Sequence, residues 1–146
     1  MKTSLGKKQK GAAAIEFALV FLIFFTVLYG VVSYSFPLLL VQSFNNATAE
    51  AVRRGMAVDP NASDYEVALK KEVGDVLAKK LEWVPTAVRA GLSMKPKYED
   101  GILSATVTLQ TDNLKSIMPV LKLGAIKVPD LPAQLQAVSS VQLANK

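Results

Sequence analysis

The chain has 146 residues, 51% of them hydrophobic, and a formal net charge of +5. Once a membrane segment is subtracted, this length leaves room for one modest domain. The chain contains no cysteine and no histidine, which excludes disulfides, thiolate–zinc sites, histidine-based triads and cysteine nucleophiles.

The positive charge is concentrated at the N-terminus. Before Gly11 there are four lysines and no acidic residue, and these lysines are Lys2, Lys7, Lys8 and Lys10. Subtracting these four from the 17 basic residues leaves 13 against 12 acidic ones, a net charge of +1. Because the remaining charge is nearly balanced, we expect no nucleic-acid partner.

A membrane-length apolar run follows the lysines. Residues 17–36 include 13 Leu, Ile, Val or Phe side chains, whose insertion gains about 4 to 8 kcal/mol at roughly 0.3 to 0.6 kcal/mol each. The single carboxylate of Glu16 costs at most about 3 kcal/mol on the same scale. A helix from Ala12 to Phe36 would span about 37 Å, enough for a hydrocarbon core of about 30 Å. We therefore predict a transmembrane helix, with a kink at Pro37 rather than an end.

The lysines also predict the orientation of this helix. Four of them precede the span, and residues 42–49 contain no basic side chain, so the N-terminus is expected in the cytoplasm and the body on the other side. A cleavable secretory signal is the competing interpretation, because Ala47-Thr48-Ala49 is an A-x-A pattern. However, the apolar run is about thirty residues long, whereas secretory cores have about 7 to 15.

The junction between the lysines and the apolar run resembles a known family. Lys10-Gly11, four small or apolar residues, Glu16-Phe17 and a long hydrophobic helix are similar to a type IVb prepilin, and most similar to the TadE-like pseudopilins of tight-adherence (Flp) pili. In two places the chain departs from related patterns. Phe17 stands where major Flp pilins usually have tyrosine, and Ala12 stands where general type IV pilins have Phe or Met.

This resemblance implies a processing site and a set of partners. A prepilin peptidase would cut after Gly11, so that Ala12 becomes the first mature residue and Glu16 the fifth. The cut would remove the leader charge of Lys7, Lys8 and Lys10. Further partners would be other pilin or pseudopilin subunits, the inner-membrane pilus assembly platform and membrane lipid. The expected location is the bacterial inner membrane, with a periplasmic body that becomes extracellular in an assembled pilus.

The chemistry of the junction is consistent with that scheme. Gly11 has no side chain, so a protease can approach its backbone closely. The new amine of Ala12 would lie one helical turn before Glu16, and an unpaired carboxylate in an apolar setting seeks a cation. We expect the Ala12 amine of a neighbouring subunit to pair with Glu16 and to fix the axial register, with Phe17 beside it. Alternatively, lipid headgroups solvate Glu16.

Two helices are predicted before the chain changes its periodicity. A stripe of mostly small residues extends the first helix to about Val58 and suits close packing on another helix or docking on a sheet. Asp59-Pro60-Asn61 then breaks the helix. Ser63 with Glu66 predicts a capping box that opens a second helix, which runs to about Glu82. Trp83 is predicted to anchor the core.

The C-terminal half alternates with a period of two. Residues 92–98 and 103–110 flank Asp100-Gly101, which predicts a β-hairpin, and Pro96 places the first strand at a sheet edge. A third strand is predicted near residues 134–143, and a short strand is possible within an irregular connection at 121–128. The predicted fold class is α+β, in which a long transmembrane helix continues into a pilin-like body with a small antiparallel sheet. The predicted divisions are a leader (1–11), an assembly helix (12–58) and a body (59–146).

The sequence leaves three functions open. The first is a structural minor pilin or pseudopilin. The second is an unprocessed, signal-anchored periplasmic scaffold or binding domain. The third is a periplasmic enzyme, for which Ser93 with Lys95 and Glu99 with Asp100 are the nearest candidates, but neither pair has a spacing that demands catalysis. We expect no catalytic residue, no metal and no cofactor.

Overall fold

The computed structural model describes residues 6–143, and within this range the side chains of residues 6–10 and of Leu123 lie outside the description. A single 50-residue helix, α1 (Gly6–Gly55), opens the fold and contains Pro37 in its interior. At about 1.5 Å per residue, α1 is about 75 Å long. The helix therefore continues through Pro37, as predicted, and ends three residues before the predicted Val58.

The N-terminal part of helix α1 is exposed on all sides (its bare half), and the part after it packs on the body (its covered half). From Ala12 to Leu28 every side chain is exposed except that of Thr26, which is partly buried. Beyond Tyr29, one face of the helix packs against the body. Its buried residues recur at spacings of three and four, which is the period of one helix face, and are Ser33, Pro37, Leu40, Phe44, Ala47, Thr48, Ala51, Val52 and Gly55. The predicted stripe of small residues is thus confirmed as a packing surface.

The second helix, α2 (Tyr65–Lys80), packs against α1 through buried Leu69, Val73 and Leu77. The predicted capping box is wrong. The N-cap is Asp64, and its side chain makes no capping hydrogen bond. Because the first helical residue is Tyr65, Ser63 lies one position too early to cap the helix.

The segment after α2 buries different residues from those predicted. Trp83 is 46% exposed, so its prediction as a core anchor is wrong. Leu81 and Val84 are buried instead, and a short helix, α3 (Thr86–Arg89), buries Val88. A turn hydrogen bond from the Val84 amide to the Leu81 carbonyl (3.1 Å) brings these two apolar residues to the core side. Trp83 lies between them in the sequence and is turned outward.

Three strands form the main sheet, and two more form a separate hairpin. The strands are β1 (Leu92–Glu99), β2 (Ile102–Gln110), β3 (Leu121–Leu123), β4 (Ile126–Val128) and β5 (Gln134–Gln142). The main sheet is antiparallel in the order β1-β2-β5, so β1 is an edge strand, as Pro96 predicted. Asp100 and Gly101 both have positive φ, 51° and 74°, as a tight hairpin turn requires.

The connection between β2 and β5 is more ordered than predicted. It contains a 3₁₀ helix (Thr111–Ser116) and the β3–β4 hairpin, in which Leu121 lies opposite Val128 and Lys122 opposite Lys127. The possible single strand at 121–128 is therefore two short strands around Gly124, whose φ is +62°. The α+β class is confirmed, with α1 and α2 covering one face of the main sheet.

At Gly55, α1 packs closely against the body. A Cβ at this position would lie 2.4 Å from a Leu103 methyl and 3.2 Å from a Val73 methyl. A Cβ at Gly74, within α2, would meet nothing within 4 Å. The same methyl group therefore meets a packed core at one glycine and open space at the other.

We expect Gly55→Ala and Gly74→Ala to change stability in opposite directions. Gly55→Ala should lower the free energy of unfolding by about 1 to 3 kcal/mol because it overpacks the core. Gly74→Ala should raise it by about 0.5 to 1 kcal/mol because alanine favours the helix. Both changes in the free energy of unfolding are measured by urea unfolding of the full chain in detergent, monitored through hydrogen exchange at the β2 amides. A stabilising Gly55→Ala variant would contradict the packing described here.

Candidate processing and assembly site

The four residues predicted to form the processing and assembly site lie together on the bare half of α1. Gly11, Ala12, Glu16 and Phe17 are all helical and all exposed. Ala12 and Glu16 are four residues apart, so they share one face with about 5 to 6 Å between their Cβ atoms. The helix alone brings them together. The side chains of Lys7, Lys8 and Lys10 lie outside the described residues.

Nothing in the described fold requires a glycine at position 11. A Cβ there would meet no atom within 4 Å, and the φ of Gly11 is not in the left-handed region. Glycine inside a helix costs roughly 0.5 to 1 kcal/mol relative to alanine. The residue therefore weakens the helix locally without serving the packing of this chain.

Glu16 carries the only acidic side chain of the described bare segment, residues 12–28. None of the ion pairs formed among the described side chains involves it. Helical side chains tilt toward the N-terminus of their helix, so the Glu16 carboxylate reaches toward the level of Ala12. The acid is presented to the outside of the molecule, where a second molecule can contact it.

Phe17 begins a ladder of aromatic rings along one face of α1. The ring centroids of Phe17 and Phe21 are 5.9 Å apart, and those of Phe21 and Phe25 are 4.3 Å apart. Phe21 and Phe25 were not among the predicted site residues, although their four-residue spacing from Phe17 is visible in the sequence. The ladder is largely exposed and lies next to Glu16, so it adds apolar contact area to the same surface.

Two tyrosines mark where the bare half of α1 ends. The Tyr29 hydroxyl donates a hydrogen bond to the Pro119 carbonyl, and the Tyr34 hydroxyl accepts one from the Asp130 amide at 2.9 Å. The bare segment from Ala12 to Leu28 is therefore about 26 Å long, shorter than the predicted span to Phe36. Residues about ninety positions further along the chain form these contacts, so the sequence of α1 does not show the boundary.

The candidate enzyme residues lie on an edge strand and in a turn. Ser93 and Lys95 are in β1, and Asp100 is in the β1–β2 turn. A hydrogen bond from Lys97 holds the pKa of the Glu99 carboxyl below its usual value, whereas a general acid needs a raised pKa. Among the described residues, no group of three or more His, Cys, Asp or Glu side chains is placed to hold a metal ion.

Comparison with known families identifies the N-terminal region. Residues 11–53 match the family described as TadE-like protein. Neither the curated proteins nor the solved structures gave a match. The matched region begins at Gly11, includes Glu16 and Phe17, and ends two residues before α1 does. It therefore covers the helix and not the body.

The family match and the helix agree with each other. α1 is long and apolar enough to cross a membrane, with a mean hydropathy of 2.5 over its best window, none of which is buried. A single N-terminal apolar helix of this kind fits a membrane-anchored protein. The TadE-like match, which covers residues 11–53, suggests a protein associated with the Tad pilus.

Proposed function

Because residues 11–53 form a TadE-like region, we propose that this chain is a minor pilin or pseudopilin of a tight-adherence pilus. It is inserted as a precursor, cut by a prepilin peptidase after Gly11, and assembled with other pilin subunits for surface attachment. One observation carries this proposal. The family match coincides with a bare, membrane-length helix that presents Gly11, Ala12 and Glu16 on its surface.

Cleavage at Gly11 would change what holds the helix in the membrane. It removes the leader lysines, whose charge anchors the N-terminus on the cytoplasmic side, and leaves the whole apolar segment in place. The N-terminus is then anchored less strongly on the cytoplasmic side, which favours later extraction of the helix from the membrane into a pilus. Secretory cleavage near Ala49 would instead remove the apolar run itself, together with most of the buried face of α1 on which the body packs.

The new amine at Ala12 can pair with a Glu16 carboxylate of a neighbouring subunit. A carboxylate costs about 2.5 to 3.5 kcal/mol at the centre of a bilayer on insertion scales, so Glu16, which is close to the end of the bare segment, costs at most about 3 kcal/mol. An ion pair at about 4 Å gains about 4 kcal/mol at an effective dielectric constant of about 20. The two energies are similar, so pairing offsets the cost of keeping the acid in lipid. Because both charges are at fixed heights on their helices, the pair also sets the axial register.

The remaining partners follow from the position of the helix. The lysines before the span favour an N-terminus in the cytoplasm and a body in the periplasm, and the chain would then be a single-pass protein of the bacterial inner membrane. The prepilin peptidase and the inner-membrane assembly platform would meet the bare half of α1 there. The body, which the family match does not cover, would face the periplasm or the outside of the pilus.

Mass spectrometry of the native N-terminus tests this proposal. We expect a mature chain that begins at Ala12, and the uncut chain in cells that lack the peptidase. A chain that keeps Met1 in normal cells would contradict the proposal and favour the unprocessed scaffold. A chain that begins at Glu50 would instead indicate a secretory signal peptidase.

A further inference from the structure

The β3–β4 hairpin is attached to α1 where the bare half of the helix ends. Tyr29 contacts Pro119, which precedes β3, and Tyr34 contacts Asp130, which follows β4. Between these two contacts, a Val128 methyl lies 4.0 Å from the position that a Cβ on Gly30 would occupy. The open end of the hairpin is therefore held beside residues 29–34, directly above the bare segment.

This level corresponds to the surface of a membrane that α1 crosses. The bare segment of about 26 Å accounts for nearly all of a hydrocarbon core of about 30 Å. Lys122, Lys127 and Asp130 are exposed, and exposed charges of this kind do not enter the hydrocarbon. Tyrosine is enriched at membrane–water interfaces, which agrees with the positions of Tyr29 and Tyr34.

The hairpin is apolar on one face and basic on the other. Side chains alternate along each strand, so the register places Leu121, Ile126 and Val128 on one face and the two lysines on the opposite face. Val128 points toward α1, yet Leu121 is 41% exposed and Ile126 is 63% exposed. Ile117, just before the hairpin, is 43% exposed. The apolar face therefore extends beyond what the helix covers.

The basic face contains a like-charge pair. Lys122 and Lys127 are directly opposite each other in the register, an arrangement that destabilises a strand pair. Among the described side chains, neither lysine belongs to an ion pair, whereas Lys115 pairs with Asp112 at 2.5 Å. All three lysines line a cavity of about 700 Å³ together with Asp112 and Asp130. An anion held between Lys122 and Lys127 would relieve their repulsion.

We propose that the β3–β4 hairpin and the cavity behind it bind the anionic headgroups of the membrane that α1 crosses. Leu121 and Ile126 enter the headgroup region, while Lys122 and Lys127 contact lipid phosphate, as lysine side chains do at interfaces. Each lysine near an anionic surface contributes about fivefold in binding. The inference rests on the membrane insertion in the proposed function, and not on cleavage or assembly.

Lipid fits this surface better than an acidic segment of another protein. The hairpin is continuous with the bare helix through Tyr29 and Tyr34, so a bilayer around that helix meets it without any further partner. Its exposed apolar side chains stand beside lysines, the combination that interfacial segments use. Binding at this site would fix the height and rotation of the body above the membrane.

Single-tryptophan variants of the full chain test the inference. Trp83→Phe first removes the natural tryptophan. In this background, Ile126→Trp reports on the hairpin, Leu19→Trp on the bare half of α1, and Val67→Trp on α2. All three positions are exposed. The chains are reconstituted in brominated lipid vesicles of phosphatidylglycerol with phosphatidylethanolamine, or of phosphatidylcholine alone. Quenching of tryptophan fluorescence by the brominated lipid is measured, and Leu121→Trp serves as a second hairpin probe.

We expect the probe at position 126 to be quenched several-fold more than the probe at position 67 in anionic vesicles. Lys122→Gln with Lys127→Gln, or neutral lipid, should remove most of that difference. Strong quenching at position 19 with none at 126 or 121 would overturn the inference and leave membrane insertion intact. No quenching at position 19 would overturn both. Equal quenching of the probe at position 126 in neutral and anionic vesicles would also overturn the inference. The inference would likewise fail if the probe at position 126 were shielded only when other pilus subunits are added.

Discussion

Replacing Gly11 with lysine is expected to leave the precursor uncut in the membrane. The substitution places a long charged side chain at the bond that the peptidase must approach, and displacing a scissile bond by about 1 Å can cost about 100-fold in rate. The described fold itself should tolerate the change, because a Cβ at Gly11 meets nothing within 4 Å. We expect Gly11→Lys to slow cleavage by about 100-fold or more, measured as the ratio of precursor to mature chain after a pulse of synthesis.

Gly6→Lys is the matched control for this variant. It adds the same charge to the same helix, five residues before the cut, and replaces the same residue type. Its processing should remain close to that of the unaltered chain. Cleavage of Gly11→Lys at the normal rate would show that the peptidase does not act at this bond, and an equal loss in both variants would assign the effect to charge alone.

Replacing Glu16 with leucine is expected to allow insertion and to block assembly. The variant removes a carboxylate from the bare segment, so insertion should become more favourable by up to about 3 kcal/mol. It also removes the partner of the Ala12 amine. If pairing is worth about 3 kcal/mol, its loss weakens subunit association by roughly 100-fold. Carbonate extraction of membranes measures insertion, and the amount of this subunit and of the major pilin in sheared pili measures assembly.

Two further variants separate charge from hydrophobicity. Glu16→Asp keeps the carboxylate and should retain part of the assembly. Thr26→Leu also makes the same helix more apolar, but without removing a charge. Because the Thr26 hydroxyl only donates to the Leu22 carbonyl one turn earlier, at 2.8 Å, assembly should not change. Normal piliation with Glu16→Leu would remove the proposed pairing, whereas loss of assembly in Thr26→Leu would assign the defect to hydrophobicity.

The positions of the candidate site residues on one helix were predictable because their arrangement is local. Gly11, Ala12, Glu16 and Phe17 lie within two turns of one helix, so their spacing in the sequence already determines which of them share a face. The same is true of the β1–β2 hairpin, since Asp100 and Gly101 have the positive φ values that its turn requires. In both cases the neighbours in space are neighbours in the chain.

Errors arose where packing chooses between local alternatives. Trp83 and Val84 are adjacent apolar residues, and only the course of the chain after α2 decides that Val84 is buried and Trp83 exposed. Ser63 and Asp64 are both good N-cap residues, and the start of α2 at Tyr65 selects Asp64. Local propensity does not separate such alternatives. The propensities of the two residues differ by less free energy than the packing of one or the other contributes.

The sequence by itself determined the long N-terminal helix, the single acid within its apolar run, the lysines before Gly11, and the order of the two long helices and the three strands of the main sheet, since each depends on composition or on periodicity within one segment. Only the tertiary structure decided where the bare half of α1 ends. That boundary depends on contacts of Tyr29 with Pro119 and of Tyr34 with Asp130, across about ninety residues of chain. The tertiary structure also decided that the β3–β4 hairpin lies beside this boundary. Contacts between distant residues set that position, and such contacts do not appear as a periodicity in the sequence of either segment.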